Sequence, residues 1–304
     1  MDPEIAERLD ARFDDHEVRR RLHDVPPHEV YEVLVDGRRA VYKGDTGPTG
    51  NAEMEGQVMA AVADHTSVTV PETLFVGDGY YVAAWHPDAP SAEAEHEADE
   101  EWARAAGRGL ATLHAETVPF VDAYGAFRAG EAFAVHECDN WHAAAVEYVE
   151  DRRPVLDRYG HADVADRVLD HLAGRPGAFA GAGEPVCCHG WATPEHVAVA
   201  DGEVACMIDF EHALAAPGEY DYWRTEFPAF GPGENEPRTA FREGYESVRS
   251  LPAGFERRAP YYGLLNAVYH FESLYVQERN DPEETERKAV RLRSRVDAIL
   301  DDLA

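Results

Sequence analysis

The residues best equipped for chemistry in this 304-residue chain crowd into one stretch, 186–226, which begins V-C-C-H-G-W-A-T-P-E-H and continues through an Asp-Gly pair to I-D-F-E. Apolar runs at 197–199 and 204–208 flank Asp201-Gly202, and Asp-Gly between apolar runs signals a tight hairpin. Such a hairpin holds the polar loop 189–196 against the carboxylates Asp209 and Glu211. A polar loop beside paired acids on a rigid ribbon can place a base and a metal ion for phosphoryl transfer. Asp209 ends an apolar strand, and an acid there, facing a polar loop, suits a divalent cation. Trp191 can neither accept a proton nor hold a metal. Glu195 is the acid of the loop that could stand in, and a solvated loop residue is its plain alternative.

Cys187, Cys188, His189, His196 and Cys206 invite a zinc reading as well. Neighbours on a strand face opposite ways and no C-x-x-C is present, so buried thiols are the better account.

The elements around this stretch can be read in order. Ile5, Leu9 and Phe13 step at helical spacing and predict an amphipathic helix over 3–22, closed by Pro26-Pro27. Residues 30–35, the turn Asp36-Gly37 and residues 40–43 predict a hairpin that ends on Lys43. Lys43 and Lys288 are the only lysines. A chain that has nearly abandoned lysine yet sets one at the end of a core strand has a specific use for it; an edge-strand solubiliser is the alternative. A Gly/Pro loop over 44–51 leads to a helix at 52–62, and 68–76, Gly77-Asp78-Gly79 and 80–85 predict a second hairpin. Residues 87–99 are rich in proline and acid and predict a linker. Helices are expected at 102–113, 141–156, 162–172, 239–248, 261–278 and 283–303, with 116–135 irregular and 174–183 and 227–237 as loops.

His189-Gly190, the Asp-Gly hairpin, Ile208-Asp209-Phe210-Glu211 and Tyr220-Asp221 together resemble the aminoglycoside phosphotransferase and choline kinase family, small-molecule kinases with a protein-kinase-like fold. The resemblance runs in order through about residues 28–226, and the last helices match only by type. It implies an α+β, two-lobed fold: a β-rich nucleotide lobe over 1–86, a linker over 87–97 and a helical lobe over 98–304. It implies ATP and Mg²⁺ as cofactors and a small molecule with a hydroxyl acceptor as partner. Lys43 would reach the ATP phosphates, with Glu55 (or its neighbour Glu53) pairing the lysine, and backbone groups at Trp85 and His86 would receive adenine. Asp209 would hold magnesium and Asp221 the catalytic loop, with helix capping the other reading of Asp221. His114, at a matching helix end, reads as structural.

The family's catalytic loop usually reads H-G-D-x-x-x-x-N. Here Trp191 stands at the catalytic aspartate position and His196 at the metal-binding asparagine position. The candidate catalytic set is therefore His189, Asp209 and Glu195, and the candidate metal set Asp209 and His196, although hard Mg²⁺ prefers oxygen. The stretch 25–29, where relatives carry a small turn over the phosphates, has no glycine. Two function classes follow: an ATP-dependent small-molecule phosphotransferase, or a catalytically inactive relative that binds nucleotide or ligand.

Acidic residues number 59 against 28 basic, a formal net charge of −31. That charge argues against nucleic acid or an anionic membrane as partner. Acid spread along the whole chain looks like adaptation to high salt, where the Debye length falls to roughly 3 Å at 1 M. The four cysteines lack a secreted disulfide spacing, the N-terminus lacks a basic region and an apolar run, and no stretch approaches a membrane span. A soluble, reduced, cytoplasmic protein is expected.

Overall fold

The computed structural model describes residues 3–47, 49–91, 96–231, 233 and 235–304. Residues 92–95 of the expected linker, residue 48 of the 44–51 loop, and residues 232 and 234 of the 227–237 loop lie outside the described residues.

Helix α1 (Pro3–Asp10) is followed by β1 (His16–Val25), β2 (His28–Val35), β3 (Arg38–Asp45), α2 (Ala52–His65), β4 (Thr73–Gly77) and β5 (Tyr80–Ala84). Among the described residues these strands form an antiparallel sheet in the order β1-β2-β3-β5-β4. The β2–β3 turn has positive φ at both Asp36 and Gly37, the twist a two-residue hairpin needs. Strand alternation then divides the sheet. Val33, Val35, Ala40, Tyr42, Tyr80 and Val82 bury against Ile5 and Leu9 of α1, the Val, Ile and Leu side chains each worth about 1.5–3 kcal/mol when fully buried. The opposite face, with Tyr81 and Ala83, packs on Val58, Met59 and Val62 of α2. Lys43 follows Tyr42 by one residue, so it emerges on the α2 side.

The predicted helix over 3–22 is corrected: it stops at Asp10, and His16–Val25 is the sheet's edge strand. Ile5 and Leu9 exhaust the buried apolar face of the helix. Beyond them the charged run Arg19-Arg20-Arg21 has no core to face, yet it covers a sheet edge well. Arg20 Nε meets Glu32 Oε2 at 2.8 Å and Arg21 Nη2 meets Glu29 Oε2 at 3.3 Å. Charged side chains of this kind blunt an edge against further pairing. Pro26-Pro27 consequently forms the β1–β2 turn rather than a helix end.

The helical part comprises α3 (Glu100–Thr117), β6 (Gly125–Ala126), α4 (Trp141–Arg158), α5 (Ala162–Ala173), β7 (Pro185–Cys188), β8 (Val197–Ala200), β9 (Glu203–Met207), a 3-10 turn (Phe210–His212), β10 (Leu214–Pro217), α6 (Gly218–Phe230), α7 (Glu236–Glu246), α8 (Phe255–Val276) and α9 (Pro282–Asp302). Strands β6-β10-β7 form a small sheet, and β8–β9 is the hairpin on Asp201-Gly202, both in positive φ. The expected loop over 227–237 is corrected in its first part, since α6 continues to Phe230 through Pro228. Phe227 stacks on Trp223 with ring centroids 5.2 Å apart, and Phe230 is buried against Trp102 and Phe241. This aromatic packing outweighs the hydrogen bond that proline removes. No helix among the described residues is long and apolar enough to cross a membrane. The architecture is α+β and two-lobed, protein-kinase-like.

Candidate active site

Lys43, at the end of β3, is the hub of the site. Its Nζ lies 2.7 Å from Glu55 Oε2, 2.6 Å from Asp209 Oδ1 and 2.9 Å from Glu211 Oε2. Glu55 comes from the first turn of α2, whose buried face meets the same side of the sheet, and Tyr81 donates its hydroxyl to Glu55 Oε1 at 3.0 Å. Glu53, the neighbouring candidate, instead accepts from Gln57 on its own helix. Burial works against the lysine's charge, but Asp209, Glu211 and Glu55 hold its pKa well above normal. Burial pushes Glu55 up to about 7 against the pull of Lys43. Asp209 and Glu211 are driven up by burial, yet the facing cations hold both below the usual carboxylate range. Asp209 itself has left-handed backbone, φ 69°, which Asp tolerates better than most residues.

Opposite lies the loop after β7. Buried Asp221, in the first turn of α6, accepts from the backbone N–H of His189 at 2.6 Å and of Gly190 at 2.9 Å. Its Oδ2 also meets His114 Nε2 at 3.0 Å, and His114 Nδ1 meets the Tyr245 hydroxyl at 2.9 Å. Gly190 has φ 83°, and a Cβ there would come within 2.0 Å of the His212 carbonyl, so the loop needs glycine to approach the turn after Asp209. His189 is fully buried, with Nε2 2.8 Å from the Ile208 carbonyl, and burial lowers its pKa to about 4. It ties the loop to the end of β9. Glu195 is exposed and forms no ion pair among the described residues.

Trp191 packs edge-on to His270 at 5.4 Å and against Tyr269 at 5.6 Å, with Arg224 Cζ 4.9 Å from its ring. His196 bridges the Trp191 carbonyl (Nδ1, 3.0 Å) and Asp209 Oδ2 (Nε2, 3.0 Å). Burial opposes its charge, but Asp209 raises its pKa to about 9. Two polar residues joined here without a sequence signal. His28 on β2 reaches Glu211 Oε2 at 3.0 Å and Asp45 Oδ1 at 3.3 Å, and Asn51 Nδ2 donates to the Glu211 carbonyl at 2.6 Å. The β2–β3 register, which sets His28 opposite Asp45, was the only route to His28.

Carboxylate oxygens of Glu55, Asp209 and Glu211 lie within 4.8 Å of one another. Carboxylate oxygens are the donors Mg²⁺ prefers, here gathered around the Lys43 ammonium, and the imidazole nitrogen of His196 suits so hard a cation less well. A second convergent group, His114, Cys188 and Asp221, is spent on its own hydrogen bonds. At the expected adenine crossover, the Trp85 N–H donates to the Arg39 carbonyl at 2.9 Å, Arg39 stacks 3.5 Å over the Trp85 ring, and the His86 carbonyl accepts from Ala89. Beside the carboxylates opens a cleft of about 310 Å³, lined in part by His28, Asn51, Tyr148, Arg152, His212 and Tyr269.

Residues 17–261 match the family model described as the phosphotransferase enzyme family. No curated protein matches the chain. Among solved structures it is similar to a thermostable mutant (D198A) of aminoglycoside phosphotransferase APH(4)-Ia in a ternary complex with ADP and hygromycin B, at TM-score 0.67 and 15% identity over 97% of each chain. It is also similar to the microcompartment-associated aminopropanol kinase, at TM-score 0.61 and 16% identity over 97% of this chain and 95% of that one. The macrolide 2'-phosphotransferase MphH from Brachybacterium faecium aligns at TM-score 0.60 and 18% identity over 96% of this chain and 97% of that one. At such identities these likenesses show the fold.

Proposed function

The chain belongs to the phosphotransferase enzyme family, and from that premise we propose that it transfers the γ-phosphoryl group of ATP to a hydroxyl of a small molecule held in the cleft. The observation that carries this reading is the meeting of Lys43 with Glu55, Asp209 and Glu211. In this reading residues 1–86 hold the nucleotide, 87–97 link the lobes, and 98–304 supply the loop, the metal carboxylates and the acceptor cleft. Glu55 aims the Lys43 ammonium at the nucleotide phosphates, and backbone at Trp85 and His86 receives the base. Asp209, with Glu211 beside it, holds Mg²⁺, which when bound neutralises phosphate charge. Phosphoryl transfer draws most of its rate from positioning and charge stabilisation, so Trp191 does not by itself forbid it. His189 keeps the loop in register, and Glu195 is the acid of that loop nearest in sequence to replace the missing base.

The inactive-relative reading has one specific observation in its favour. Trp191 and charged His196 occupy the positions of base and metal ligand, and His196 already pairs with Asp209. One experiment separates the two: ATP consumption and product phosphorylation with magnesium, in high salt, across hydroxylated metabolites, with Lys43→Ala as comparison. Transfer abolished by Lys43→Ala supports the enzyme. ATP binding without transfer supports the binding module, and ATP affinity unchanged in folded Lys43→Ala refutes the nucleotide role given to that lysine.

A further inference from the structure

Two guanidiniums form part of the cleft wall. Arg152, on α4, lies 3.5 Å over the Tyr148 ring with Nε 3.1 Å from Glu272 Oε2. Arg224, on α6, lies 3.6 Å over the Tyr269 ring and is 1% exposed. It donates from Nε to the Gly190 carbonyl at 2.8 Å and from Nη1 to Asn266 Oδ1 at 3.0 Å. Among the described residues no carboxylate pairs with it. Elsewhere the chain treats a buried arginine differently: Arg258 is held by both oxygens of Glu219, at 2.5 and 2.7 Å. A buried charge without a counter-charge is costly, and one retained beside an open cleft marks a place where a ligand supplies the anion.

The acids of the cleft leave that excess in place. Glu211 is engaged by Lys43 and His28, and Glu272 by Arg152. Glu147 and Asp151 stand on the exposed side of α4, where Glu147 accepts the Cys138 thiol. The two guanidiniums thus lie deeper than Glu147 and Asp151, which line the same cleft nearer solvent. We infer that the cleft takes an acceptor bearing an anionic group, carboxylate or phosphate, seated on Arg152 with the charge of Arg224 behind it. This rests on the reading of the cleft as the acceptor site. Guanidinium is the side chain best shaped for either oxyanion, and a polycationic acceptor would set its charges against these two arginines.

The test is calorimetric titration of acetate, inorganic phosphate and methylammonium into the full chain with ADP and magnesium present, at constant ionic strength. ADP binding is measured first and alone, so a failure there counts against the nucleotide reading and leaves this inference to the second titration. At least one anion should bind about 10-fold more tightly than methylammonium, and folded Arg152→Gln should lose about 10-fold while Arg152→Lys loses less. Acetate binding as well as phosphate assigns a carboxylate, and phosphate alone assigns a phosphate. Preference for methylammonium, no anion binding, or unchanged binding in folded Arg152→Gln overturns the inference. So does loss only in Arg224→Gln, checked for folding by circular dichroism, because the seat on Arg152 would then carry none of the binding.

Discussion

In the proposed reading Trp191 stands at the position of the family's proton acceptor, and its packing on Tyr269, His270 and Arg224 makes it part of the wall behind the site. Under the inactive reading, Trp191→Asp with His196→Asn restores base and ligand together. Transfer should rise by roughly 10²- to 10⁴-fold, the range of a positioned general base, read as initial rate with magnesium and ATP. Loss of a well-packed Trp costs about 3–5 kcal/mol, so the melting temperature is measured beside the rate. High activity in the unmodified protein that vanishes in the folded double variant would show that this loop runs its own chemistry. The same residues set a pH dependence. His196 and His28 both rise from 6.5 to about 9 through their carboxylate partners, against burial. A raised folded pKa adds stability that is complete below about 6.5 and is lost as pH climbs through 9, at most about 3 kcal/mol each. Metal-free protein should therefore melt progressively lower from pH 6.5 to 9, and His28→Gln should flatten part of that slope. A melting temperature that rises over this interval would refute the assignment.

At the scale of elements, the site depends on β7, β9 and the start of α6 being fixed to one another. Asp221 does this by accepting from two backbone N–H groups and meeting His114. Replacing it with alanine strands those groups at about 1–3 kcal/mol each. Asp221→Ala should thus lose about 3–5 kcal/mol in denaturant unfolding and lose nucleotide affinity with it. If Asp221 were only a helix cap, the loss would stay near 1 kcal/mol. The β8–β9 hairpin and the β2–β3 hairpin bring the two halves of the ion-pair cluster to the same point, one carrying Lys43 and the other Asp209.

For the whole molecule the governing quantity is the net charge of −31. Self-repulsion at that charge is long-ranged at 0.1 M salt, where the Debye length is about 10 Å, and is nearly extinguished at 1 M, where it is about 3 Å. The melting temperature should therefore climb steeply between 0.1 and 2 M KCl. Sucrose at matched osmolality, which does not screen charge, should raise it much less. Equal effects from the two would mean that charge screening has no part in the stability of this chain.

Local chemistry was legible in the sequence because it is local. The Asp-Gly hairpins follow from two residues that accept positive φ, the helices of the second lobe from apolar periodicity, and Lys43 and Asp209 stand out as charges closing apolar strands. The helix over 3–22 misled because three apolar residues at helical spacing say nothing about the polar strand that follows, whose partner lies in β2. Only tertiary structure chose Glu55 over Glu53, since that depends on which side of α2 faces the sheet. It alone brought His28 to Glu211 across 183 positions of chain, packed Trp191 under Arg224, and set Arg152 and Arg224 in one cleft. Those pairings are fixed by how the lobes and helices close on each other, and such closure has no period in the sequence.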